Sequence, residues 1–155
     1  MLTGIALPLS DLPAALLDDP AVKAREYVRE GRPEVRFDWW HEPTLLPVRW
    51  CGRVRLVRWG SKARRGTPLP YGGWVAEDRI GAGVFAAAAP EEVVIPAAFG
   101  HDAGMWFVID EGVRGVAVRD GAGPVVYVLT RPSTNYYRNM ARQAAVMPVL
   151  VNQVV

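Results

Sequence analysis

The chain has 155 residues, half of them hydrophobic, with six tryptophans and a near balance of 18 basic against 16 acidic residues. That composition suits one folded domain over residues 1–155 with a substantial core, and it excludes a disordered chain. A single cysteine, Cys51, excludes an internal disulfide and a cysteine-based zinc site, and no apolar run is long enough to span a bilayer.

The amino terminus has no basic stretch ahead of an apolar one, and Pro8, Asp11 and Pro13 interrupt it. No signal peptide is expected, and the cytoplasm is the default location. Ser10 and Asp11 precede a short helix over Leu12–Leu17. Asp18 or Asp19 then caps a second helix from Pro20, striped by Ala21, Ala24 and Val28 and ended by Gly31. From Glu34 onward the pattern changes to short strands between turn residues. Candidates are Glu34–Asp38, Leu45–Arg49, Arg53–Trp59, Val84–Ala88, Glu92–Ile95, Met105–Ile109, Gly115–Val118 and Val125–Leu129. Asp120-Gly121-Ala122-Gly123 is the clearest hairpin turn. Pro132 opens a helix to about Gln143, with Thr130 or Ser133 near its cap, and Val149–Val155 is the last strand. The expected fold class is α+β, mostly antiparallel β, with a curved or barrel-like sheet and two or three flanking helices.

The strongest local signal is charge. Between Arg49 and Arg65 lie Arg49, Arg53, Arg55, Arg58, Lys62, Arg64 and Arg65, with no acidic residue and with Trp50 and Trp59 interleaved. Over Arg53–Arg58 charged and apolar residues alternate, so Arg53 and Arg55 share one strand face and Val54 and Leu56 the other. Guanidinium forks suit phosphate and indole faces suit bases, which makes nucleic acid the first partner to consider. In that reading Arg53, Arg55, Arg58, Arg64 and Arg65 neutralise phosphates and Trp59 stacks. The competing reading is solvated surface arginine above core tryptophan.

Chemistry has fewer signals. Cys51 lies among arginines that would favour its thiolate, but a lone cysteine in a strand is commonly core filler. His41-Glu42 and His101-Asp102 are neighbours in sequence, and adjacent strand residues point to opposite faces, so adjacency makes neither a dyad. No phosphate loop, nucleophile elbow or zinc spacing occurs, so neither a cofactor nor a metal is expected.

In order along nearly the full length, several segments are similar to one known pattern. Met1–Leu7 followed by a helix resembles a Met-Cys-Gly-Arg-aromatic-x-Leu opening. Glu42–Val48 resembles an Ala-Pro-Thr-Gln segment leading to a Pro-Val strand. Arg58-Trp59-Gly60 matches Arg-Trp-Gly, and Ile95-Pro96-Ala97 matches a Pro-Ala turn. Val128-Leu129-Thr130, a helix and Met147-Pro148-Val149 match the ending. In this the chain resembles the SOS-response-associated peptidase family, whose members handle abasic sites in single-stranded DNA through an amino-terminal cysteine, and it is shorter than typical members. The departures fall on the family's catalytic positions. The nucleophile position is Leu2, which has no thiol, and Cys51 cannot replace it because its nitrogen is a peptide amide. The family's histidine falls on Ala144 and the arginine of its ending on Val146. Its Asn-Ala-Arg-x-Glu segment has only an echo in Ala76–Arg79, while its glutamate falls, without gaps, on Asp102.

Three readings follow. The first is a diverged relative that lacks the cysteine chemistry and binds single-stranded nucleic acid through its Arg/Trp surface. The second is a non-catalytic protein–protein module, of phage or prophage type, whose arginines and tryptophans meet a partner or a second copy. The third is an active crosslinking protein or peptidase using Asp102, His101 or Cys51.

Overall fold

The computed structural model describes residues 1–85 and 88–155. Its strands, in chain order, are β1 (Leu2–Pro8), β2 (Glu26–Arg29), β3 (Arg32–Asp38), β4 (Leu45–Trp50), β5 (Arg53–Trp59), β6 (Trp74–Ala76), β7 (Glu91–Ile95), β8 (Phe99–Asp102), β9 (Met105–Val108), β10 (Val113–Asp120), β11 (Gly123–Pro132) and β12 (Val146–Pro148). Four short helices accompany them: α1 (Ala14–Leu17), α2 (Pro20–Lys23), α3 (Glu77–Gly81) and α4 (Asn135–Met140). The architecture is mostly antiparallel β with a barrel-like sheet and flanking helices, as the periodicity implies. No helix among the described residues is long and apolar enough to cross a membrane.

Two sheets form. The first runs in the order β2-β3-β1-β8-β9. The second runs β10-β7-β4-β5-β11, and β11 pairs back to β10, closing a ring that leaves those strands no free edge. The β10–β11 pair is antiparallel, whereas β5 and β11 run parallel, with Val125 opposite Arg58 and Val126 opposite Trp59. The ten-residue β11 also carries β6 and β12 beyond the ring.

The core joins the two sheets. Ile5, Phe37 and Phe107 from the first pack with Leu46, Val48, Val57, Val113, Val126 and Val128 from the second. Trp39, Trp59 and Trp74 meet at the junction, their ring centroids 4.8 to 5.6 Å apart. The Trp59 Nε1–H donates to the Gly73 carbonyl at 2.9 Å and the Trp74 Nε1–H to that of Leu2 at 2.7 Å, so each buried indole keeps its hydrogen bond.

Several expectations need correction. The second helix stops at Lys23, and Glu26–Arg29 is a strand instead. Glu30 and Gly31, both with positive φ (51° and 76°), turn the chain back into β3. Gly31 therefore ends a hairpin, not a helix, and Val28 lies largely exposed on an edge strand. The opening residues form a central strand, β1, because Ile5 and its neighbours are buried between β3 and β8. The expected strand over Val84–Ala88 lies partly outside the described residues, and Val84 and Phe85 occupy a turn after α3. The last helix is α4, capped by Thr134, whose hydroxyl accepts from the Tyr137 N–H at 3.1 Å, because Pro132 still belongs to β11. The final strand is β12, ahead of the expected Val149–Val155.

Candidate ligand-binding groove

Strand register assembles the site. Gly4 of β1 lies opposite Asp38 of β3 on one side and His101 of β8 on the other, and His101 lies opposite Trp106 of β9. These four positions form one row across the first sheet. The next row in register, Ile5, Phe37, Gly100 and Phe107, faces the core. A register shift between Leu2 and Gly4 re-aims Thr3 toward the outer row, where its hydroxyl lies 3.2 Å from His101 Nδ1.

Gly4 matters at the centre of this row. A Cβ there would lie 2.3 Å from Asp38 Oδ1, so the bare backbone lets the carboxylate lean across. Arg36 Nε lies 2.6 Å from Asp38 Oδ2, yet its N–H finds no acceptor. The two groups thus attract as charges without a directed hydrogen bond. The Arg36 guanidinium lies 4.8 Å from the Trp106 ring centroid, and the His101 ring packs on the same indole at 4.8 Å. Burial first, and then the Arg36 charge, hold the His101 pKa below its ordinary value, against the pull of Asp38 and Asp102.

The loop after β3 supplies the other wall. Trp40 is 77% exposed and lines the groove with His41 and Glu42. Arg25, itself buried, clasps this loop from the turn after α2: it donates to the Ala21 carbonyl at 2.8 Å and also to that of Pro43. Burial lowers its pKa, opposed by Asp38 and Asp19. Lys62 closes the loop from the far side by donating to Glu42 and to the Trp39 carbonyl.

Three depressions join here. The central one, about 560 Å³, is lined by Thr3, Arg36, Asp38, Trp40, His41, Glu42 and His101. A second of about 350 Å³ shares Arg36, Asp38 and His41 with it and extends toward Arg25 and Tyr27. A third of about 220 Å³ shares Glu42 and extends past Ser61 and Lys62 to Arg58. The result is a continuous open track with an aromatic wall, basic groups along its length and carboxylates at its middle.

The basic run does not form one platform. The β4–β5 register is continuous from Trp50–Arg53 to Leu45–Arg58, so Arg53 and Arg55 share a face with Val57 and Trp59 while Arg58 lies on the other. Trp59 is 1% exposed and cannot stack on a base, which corrects that expectation. Arg58 pairs with Asp120 at 2.7 Å. Arg55 packs on Trp50, as does Arg119, each 4.7 Å from the ring centroid. Arg53 is exposed near that end of the hairpin. Arg64, 4.2 Å from the Tyr71 ring centroid, and Arg65 are exposed in the loop after β5, a few residues beyond Lys62. Only the Arg58–Arg65 portion of the run therefore adjoins the groove. Trp40 and Arg36 went unnoticed in the sequence, although the Trp39-Trp40 pair, one ring buried and the other exposed, was its one available signal.

The three chemical candidates separate. Cys51 is exposed at the β4–β5 turn, where Cys51 and Gly52 both take positive φ (53° and 75°), away from either histidine. His101 faces the groove. Asp102 faces the opposite side, is 1% exposed, and accepts from the Met1 ammonium at 3.0 Å and the Tyr137 hydroxyl at 2.6 Å. Burial, followed by the Asp102 hydrogen bond, pushes the Tyr137 pKa far up, so its hydroxyl stays a donor. Among the described residues no group of three or more His, Cys, Asp or Glu could hold a metal ion. Comparison with family models, curated proteins and solved structures gave no match.

Proposed function

We propose that this chain binds single-stranded nucleic acid along the groove, as a diverged relative of the SOS-response-associated peptidase family that lacks its cysteine chemistry. The observation that carries the reading is Trp40, 77% exposed on the wall of a track that continues through three joined depressions. A tryptophan face held by a clasped loop offers a stacking surface that any base can use. Lys62 in the third depression, with Arg64 and Arg65 in the exposed loop that follows it, supplies the charge that a phosphate backbone needs, replacing the strip read from the strand alone.

Neutralising about three phosphates gives a log–log salt slope near −2 for a single strand. Removing the stack through Trp40→Ala costs roughly 1–3 kcal/mol of binding. Fluorescence anisotropy of a labelled twelve-nucleotide strand, titrated at two salt concentrations, measures both. Absence of binding at low salt, or an affinity indifferent to Trp40, would remove the proposal.

A further inference from the structure

Glu42 is paired with Lys62, so Asp38, whose ion pair with Arg36 lacks a directed hydrogen bond, is the groove carboxylate that phosphate binding leaves unexplained. Its side chain is 22% exposed, it lies in the central depression, and a carboxylate there would repel a phosphate. Among the described residues no N–H or O–H donates to either of its oxygens, since even Arg36 Nε, 2.6 Å away, is misdirected. Its oxygens are open to solvent, and a ligand carrying N–H donors can take up their acceptor capacity.

Resting on the single-strand reading, we infer that the groove prefers guanine, with Asp38 as the residue that selects it. An ionised carboxylate only accepts hydrogen bonds. Guanine alone among the common bases presents two adjacent donors, N1–H and the 2-amino group, on one edge. Adenine and cytosine set an acceptor beside their amino group, and thymine and uracil flank one N–H with two carbonyls, so each turns a lone pair toward the carboxylate. Trp40 provides a face for the purine, and the His41 and His101 rings provide donors for its O6. Gly4 leaves the space into which the carboxylate leans.

The test uses twelve-nucleotide thymidine strands carrying one central guanine, adenine, cytosine, inosine or thymine. Anisotropy should show the guanine strand binding roughly fivefold or more tightly than the adenine, cytosine and thymine strands. Inosine, which lacks the 2-amino group, should fall between. Asp38→Asn should equalise the strands while retaining binding to the all-thymidine one. A second variant, Gly4→Ala, displaces the carboxylate and should reduce the preference in the same way. Equal binding of all five strands overturns the guanine inference and leaves the groove reading standing. Binding of none overturns both.

Discussion

At the scale of single residues, the charges that matter are those whose partners are built in. Glu34 is buried and accepts from Arg29 Nε at 2.8 Å and from the Tyr27 hydroxyl at 2.7 Å. The Arg29 hydrogen bond is the largest cause that holds its pKa below the ordinary carboxylate value, while burial, and then the hydrogen bond to Glu34, push Tyr27 up to about 12. A depressed carboxylate contributes stability that is present above its unfolded pKa and lost as pH falls through the folded one. His101, facing Thr3, Arg36, Asp38 and Trp106, is depressed as well. The unfolded chain then takes the histidine proton first, so stability falls as pH drops below about 6.5 toward the folded value. Urea midpoints measured across pH should decline in two steps on acidification. His101→Gln should remove the upper step, and Glu34→Gln should diminish the one below about 4.5. A midpoint unchanged from neutrality down to pH 5 would contradict the His101 assignment, and one equally lowered by acid in Glu34→Gln and the parent protein below pH 4 would contradict that of Glu34.

At the scale of elements, two hairpins show how local pattern and tertiary demand interact. Cys51-Gly52 joins β4 to β5 with both residues at positive φ, and Glu30-Gly31 does the same between β2 and β3. Such turns match the twist of the flanking strands, and glycine at the second position lowers their cost. The first hairpin was legible, because strong alternation flanks it. The second was not, because Ala21, Ala24 and Val28 also fit a helical stripe, and only pairing with β3 decides between the two. Gly73 shows the opposite constraint. A Cβ there would lie 2.5 Å from Trp59 Nε1 and 2.7 Å from Trp39 Cζ3, inside the tryptophan junction. Gly73→Ala should destabilise the protein by about 1–3 kcal/mol through overpacking. It should lower the urea midpoint with the denaturant slope unchanged.

At the scale of the whole molecule, ring closure determines which basic residues act together. Strand β5 crosses the ring with Arg53 and Arg55 near Trp50 at one end and Arg58 on the opposite face at the other. A double variant, Arg53→Ala with Arg55→Ala, should leave single-strand affinity and its salt slope unaltered. Lys62→Ala should flatten the slope by about 0.7, the value of one phosphate. Anisotropy at two salt concentrations separates these outcomes, and an effect of equal size from both would restore the strip as the binding surface.

By itself, the order of residues determined the class of fold, the β4–β5 and β10–β11 hairpins, and the concentration of positive charge before Arg65. These are local properties: alternation, turn chemistry and composition act over a few neighbours and survive any later packing. Only the tertiary structure decided that Trp59 is interior while Trp40 is a surface. It likewise set Asp38, His101 and Trp106 in one row across β3, β1, β8 and β9. The physical reason is that a strand's pattern says which side chains share a face but not which face meets water. That choice follows from how β11 closes the ring and where the first sheet comes to rest against it.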